Sequence, residues 1–141
     1  AYGYVDARYV RWDDPAMDTD AALDVRGNQV EYAPRHILRP GLTFRHRAFS
    51  LATKASVVDA VYTNATNTDA PTAAATAGRI PGYMVMDASA SWTTTAQITL
   101  SAGVNNLMDV DYATRRAGGY PGPGLLPGMG RAFYVTLAAR L

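Results

Sequence analysis

Over residues 83–92 polar and apolar side chains change places at every step: Met84, Met86, Ala88, Ala90 and Trp92 share one parity, and Tyr83, Val85, Asp87, Ser89 and Ser91 the other. Period-two alternation puts all of one set on one face of an extended strand and is incompatible with an amphipathic helix, whose faces repeat every 3.6 residues. The next run repeats it, with Ile98, Leu100, Ala102 and Val104 against Gln97, Thr99, Ser101, Gly103 and Asn105. So does the last, with Phe133, Val135, Leu137, Ala139 and Leu141 against Ala132, Tyr134, Thr136, Ala138 and Arg140. Three noisier runs precede them over residues 1–12, 35–45 and 49–62, the second interrupted by Pro40, which cannot donate to a ladder. The alternation predicts an all-β chain of about six strands. The Ala-rich stretch 70–77 has no apolar face and contains Pro71, so it reads as loop.

The connections constrain the architecture further. They cover residues 13–34, 45–48, 63–81, 93–96 and 107–130, so long alternates with short throughout. Up-and-down antiparallel strands with short turns at one end and long loops at the other describe a transmembrane barrel wall, in which each strand needs about 9–11 tilted residues to cross. The expected fold is therefore an antiparallel up-and-down transmembrane β-barrel segment with long extracellular loops and short periplasmic turns. In that frame the apolar parities meet lipid, and Trp92, Phe44, Phe49, Phe133 and Tyr62 form aromatic girdles near the strand ends. Arg45, His46 and Arg47 fall in a periplasmic turn, and the C-terminus is periplasmic. Asp87, Arg39 and Lys54 face inward and are expected to pair with one another or with whatever fills the barrel. A soluble β-sandwich binding module, or the barrel end of another outer-membrane channel, are the alternatives; a sandwich buries one face but has no reason for a long–short rhythm.

Composition narrows the chemistry. Charged residues make up 18% and the net charge is +1, which argues against nucleic acid as a partner. Without cysteine there is no disulfide frame, thiolate metal site or cysteine nucleophile. His36 and His46, the two histidines, fall at opposite strand ends and cannot act together. Asp13, Asp14, Asp18, Asp20 and Asp24 crowd the first long loop but lack the spacing of a twelve-residue calcium loop, so they read as a solvated loop. The Gly-rich run 118–130 lacks the Lys-Ser/Thr of a phosphate loop and reads as an irregular extracellular loop. No catalytic set and no metal site emerges. Arg79, Arg115 and Arg116, with Tyr120, are the candidate ligand contacts, because guanidinium groups match carboxylate oxygens in pairs. Tyr112 is a further candidate for that surface.

Five segments resemble motifs of TonB-dependent receptors. Gly-Asn-Gln-Val-Glu-Tyr-Ala-Pro-Arg-His (27–36) is similar to G-N-x-x-P-Y-A-P-x-H, and Val-Tyr-Thr-Asn-Ala-Thr-Asn-Thr (61–68) to the Y-x-D-x-x-N-T loop that follows it. Gly-Arg-Ile-Pro-Gly-Tyr-Met-Val-Met-Asp (78–87) is similar to G-x-I-P-x-Y-x-V-x-D, and Gly-Val-Asn-Asn-Leu-Met-Asp-Val-Asp-Tyr (103–112) to G-V-x-N-L-F-D-x-x-Y. Pro-Gly-Met-Gly-Arg-Ala-Phe-Tyr (127–134) resembles the P-G-x-x-R lead-in to the final strand. The second and third are most similar to ferric-citrate and ferric-siderophore receptors. Glu31 stands where Pro is common, Met108 where Phe is usual, and Leu141 where a terminal aromatic is expected.

The resemblance implies that residues 1–141 form the C-terminal portion of a plugged 22-strand barrel, with the plug domain and N-terminal strands absent from this stretch. It implies a transported ferric chelate (a siderophore or ferric citrate) and no covalently bound cofactor. Its implied partners are a TonB energy-coupling protein reached through the N-terminal part, outer-membrane lipid, lipopolysaccharide and the barrel-assembly machinery. For the last of these, Phe133, Val135, Leu137, Ala139 and Leu141 would be the assembly signal.

Overall fold

The computed structural model describes residues 1–11, 24–94, 97–120 and 122–140. Trp12, the acidic residues Asp13, Asp14, Asp18 and Asp20, part of the 93–96 turn, and Leu141 of the expected assembly signal lie outside them. Among the described residues the strands are β1 (Tyr2–Tyr4), β2 (His36–Leu38), β3 (Gly41–His46), β4 (Phe49–Val58), β5 (Tyr83–Thr93), β6 (Ile98–Asn105), β7 (Ala113–Ala117), β8 (Gly124–Pro127) and β9 (Ala132–Ala139). All but β7 and β8 form one antiparallel sheet in the order β1-β2-β4-β5-β6-β9, with β3 also on β4.

β2 and β3 are one strand with a gap. Ile37 faces Val58, Leu38 faces Val57 and, after the gap, Gly41 faces Lys54, so the register never slips. Pro40 has no N–H to donate, yet its carbonyl still accepts from the Ala55 N–H at 3.0 Å. Counted this way the sheet is the expected six-strand meander. Two boundaries differ from expectation. The first ladder stops at Tyr4 and continues only as an isolated Arg8–Gln29 bridge. Arg45 and His46 belong to β3, opposite Ser50 and Phe49, so the turn is just Arg47 and Ala48; Arg47 takes the left-handed φ of 52° that this two-residue reversal needs.

The registers carry the alternation across the whole sheet. Phe44 faces Leu51, Leu51 faces Ala90, Ala90 faces Ala102 and Ala102 faces Val135. On the other face Ser50 meets Ser91, Ser91 meets Ser101, and Ser101 meets Thr136. One apolar and one polar face result, and neither is covered: Leu42, Val135 and Phe133 are 74%, 74% and 77% exposed. Aromatics rim the apolar face. Phe44, Phe49 and Trp92 lie at the short-turn end and Phe133 at the long-loop end. Tyr2 and Tyr4 join the long-loop rim beside His36, where Tyr2 Oη hydrogen-bonds His36 Nδ1 at 2.8 Å. Tyr62 is not part of the rim: it lines a polar cleft among the loops.

On the polar face Lys54 and Asp87 face each other across β4 and β5, 3.4 Å apart, the pairing expected of inward charges. Next to them Tyr134 lies over Gly103, its cross-strand partner; a Cβ on Gly103 would sit 2.4 Å from the phenol ring. Only glycine leaves the ring that seat. Gly103→Val should therefore push the ring off its seat at a cost of about 0.5–1.5 kcal/mol, the range for a side chain forced off its rotamer, in a urea titration of the detergent-folded protein. Adding Tyr134→Ala should recover part of the loss if the clash is the cause.

Candidate functional site

A single-layer sheet has no interior, so the buried side chains lie elsewhere. Among the described residues Val25, Val61, Ile80, Gln29, Asn106 and Arg116 are buried, five of them in the long connections and Arg116 on the β7–β8 hairpin within the last one. The long-loop end is thus a packed cap, and the sequence motifs account for its joints. Asn67 treats Gln29 as a strand partner would: its Oδ1 accepts the Gln29 N–H at 2.7 Å and its Nδ2 donates to the Gln29 carbonyl at 2.8 Å. Its left-handed φ of 52° suits asparagine better than most residues. Val61 and Ile80 exchange both backbone hydrogen bonds, at 3.0 and 2.8 Å, and close the base of the second loop.

The last connection is tied the same way. Asn106, at φ 51°, donates its Nδ2 to the carbonyls of Val110 and Met129, and its N–H to Asp87 at 2.9 Å. Asp109 accepts from the Arg131 guanidinium at 3.0 Å. The run 118–130, expected to be irregular, contributes β8, which pairs with β7 just before it, from Ala113–Pro127 to Ala117–Gly124. Tyr112, at its foot, packs on Tyr83 with ring centroids 4.6 Å apart, and Gly128 leaves room for its ring.

Between the first and second loops lies a cleft of about 290 Å³ whose walls include Arg8, Arg35, Arg79, Asn28, Gln29, Asp59, Tyr62 and Asn67. Arg8 is held by both oxygens of Asp6 and donates to the Gly27 carbonyl. Arg35 stands 3.6 Å from the same Asp6. The Arg79 guanidinium lies over the Tyr62 ring, 5.7 Å from its centre. Near this cleft Tyr9 donates to Glu31, and that hydrogen bond, with burial and the carboxylate charge, pushes its phenol up to about 12. Asp24, the one member of the acidic group in view, is held down to about 2 by its hydrogen bonds to Arg26. No cluster of His, Cys, Asp or Glu able to hold a metal ion occurs among the described residues.

Of the four candidate contacts, Arg79 alone lines this cleft. Arg116 is turned inward on β7 and donates to the Ala75 carbonyl at 2.9 Å, while Tyr32 donates to the Arg116 carbonyl at 3.3 Å. It clasps the hairpin to both earlier loops. Arg115 is exposed on the same strand, and Tyr120 is wholly exposed between the hairpin arms. Arg8 and Arg35 fall within two of the noisier strand runs, 1–12 and 35–45, and their approach to Arg79 depends on loop folding that alternation does not report.

The sequence family described as TonB dependent receptor-like, beta-barrel matches residues 1–107. The chain belongs to this family. Among solved structures it resembles the ferric citrate transporter FecA in its unliganded form (24% identity, TM-score 0.74), covering 82% of this chain and 18% of that one. It resembles the siderophore receptor PiuA from Acinetobacter baumannii (22%, 0.67; 82% and 15%) and the copper transporter OprC (24%, 0.57; 75% and 17%). The chain thus spans less than a fifth of the length of these TonB-dependent barrels. Their cargoes differ on a shared fold, so the barrel alone does not name a ligand. No curated protein matches the sequence.

The motifs of this receptor barrel therefore join its loops to one another. Asn67→Ala strands the Gln29 N–H and carbonyl, and should cost about 1–3 kcal/mol, the range for an unsatisfied buried group. Amide hydrogen exchange should show faster exchange in residues 25–33 while the β5–β6 ladder stays protected.

Proposed function

We propose that this chain is the C-terminal part of an outer-membrane receptor for energy-dependent uptake of a ferric chelate, a siderophore or ferric citrate. It contributes barrel wall and extracellular loops and catalyses no reaction. The observation that carries the reading is the sheet with one apolar and one polar face, neither covered, whose packed residues gather in the long loops. In water such an apolar face would aggregate; in a bilayer it meets lipid. β1 and β9 each have one unpaired edge in this sheet. Backbone groups left unpaired in hydrocarbon cost several kcal/mol each, so further strands complete the wall. The long loops then face outward and the C-terminus lies in the periplasm. A plug domain fills the lumen against the Lys54–Asp87 face, and a TonB protein couples energy through the N-terminal part. Outer-membrane lipid and lipopolysaccharide surround the apolar belt, and the barrel-assembly machinery reads the final strand with Phe133, Val135, Leu137 and Ala139. Arg115 and Tyr120, exposed on the last loop, are contacts for the incoming chelate, with Arg79 in the cleft; Arg116 serves that surface by fixing the hairpin.

Two measurements test this reading. In lipid vesicles Ala102→Arg, on the apolar face midway between the Trp92 and Phe133 levels, should lose about 2–4 kcal/mol of folding stability, whereas Ser101→Arg, on the polar face, should lose under about 1 kcal/mol. Equal losses would remove the membrane assignment. In iron-starved cells the full-length protein should accumulate radiolabelled iron supplied as ferric citrate or a ferric siderophore. Transport by the isolated 141-residue chain, or no uptake of any ferric chelate by the full-length protein, would overturn the function.

A further inference from the structure

Among the described residues, the wall of the cleft between the first two long loops carries more guanidinium than carboxylate groups. Three guanidinium groups, Arg8, Arg35 and Arg79, stand against the carboxylates of Asp59 on the wall and Asp6, which is shared by Arg8 and Arg35. Glu31 nearby is engaged by Tyr9, and among the described residues that line the cleft, with Asp6, the balance is one positive charge. Arg79 supplies it: it makes no ion pair among the described residues, and the Tyr62 ring beneath it limits its motion without using its N–H groups. The Arg35 Nε is buried and faces Asp6 Oδ1 at 3.6 Å, an ion pair longer than a hydrogen bond.

The remaining wall is stiff. Asn67 is committed to Gln29, the Asn28 amide to the Ala65 carbonyl at 3.0 Å, and Arg8 to Asp6 and Gly27. A volume of about 290 Å³ is at the low end for a ligand pocket, which runs roughly from 300 Å³ upward, and suits a small anion or one acidic arm of a larger molecule.

We propose that this cleft is an oxyanion site in which Arg35 and Arg79 grip a carboxylate or phosphate group, while Arg8, fixed by Asp6, adds charge from the wall. Guanidinium donors and paired oxygens are complementary in shape, and a preformed wall lowers the ordering cost of binding. That the group belongs to an incoming chelate rests on the receptor function proposed above; the site itself rests on the cleft alone.

The test uses the full-length protein extracted in detergent, titrated calorimetrically at low ionic strength with citrate and, separately, with inorganic phosphate. The expected result is saturable binding of at least one, weakened tenfold or more in Arg79→Gln and in Arg35→Gln. Arg79→Lys should fall between, and Arg45→Gln, an equal charge change at the short-turn end, should bind as wild type. Citrate binding alone identifies a carboxylate arm as the natural group; phosphate binding that equals it identifies a phosphorylated one, such as a lipid headgroup. Arg79 is exposed, so its loss should leave the fold intact and keeps the test open if Arg35→Gln misfolds. No binding of either anion, or binding unchanged in Arg79→Gln, would overturn the site. Iron uptake measured on the same variants separates the two readings. Uptake without anion binding sinks the cleft and spares the receptor; anion binding without uptake of any ferric chelate does the reverse.

Discussion

The backbone hydrogen-bond ladder is what the rest of this structure depends on. With no second layer behind it, the sheet draws its order from one strand satisfying the next, and one register runs unbroken from β2 through β3 against β4 despite Pro40. Because that register does not slip, the apolar sets of successive strands reach one face, and a slip of one residue anywhere would send a whole strand's apolar set to the polar side. Lys54 and Asp87 on the polar face, and Phe49 opposite Trp92 on the other, are both products of this one constraint.

A wall of that kind leaves its packing to be done at its rim. The buried groups sit in the long loops, and the residues that bind one loop to the next are polar ones that satisfy backbone: Asn67 on Gln29, Asn106 on Val110 and Met129, Arg116 on Ala75. Each of the first two is an asparagine in a left-handed conformation, which frees its amide to reach across a gap where a strand would otherwise be required. Rigid loops have a functional consequence. Arg79 and Arg35 line one cleft, so the ordering cost of the anion binding proposed there would be low.

The five motifs that resemble TonB-dependent receptors interlock in this way. Gln29 of the first meets Asn67 of the second, Asp87 of the third meets Asn106 of the fourth, and Asp109 of the fourth meets Arg131 of the fifth. In sequence they carry the resemblance to the receptor family; in three dimensions they join one loop to the next. This explains why Arg116 does structural service on the hairpin and why Arg8 and Arg35, unremarkable in sequence, belong to the cleft.

The sequence by itself determined the strand faces, the six-strand meander, the long–short rhythm and the likeness to one receptor family. These follow from local alternation and from turn residues, both of which act over a few neighbouring positions. Pro40 was legible as an interruption for the same reason. The tertiary structure alone decided which loops touch, that the Gly-rich run 118–130 contributes strand β8, that Tyr62 leaves the aromatic rim for the cleft, and which arginines converge. Those outcomes depend on side chains such as Asn67 and Gln29, 38 positions apart, finding each other's backbone groups. No periodicity records a contact of that range, because its energy is set by geometry the chain acquires only after the ladder has formed.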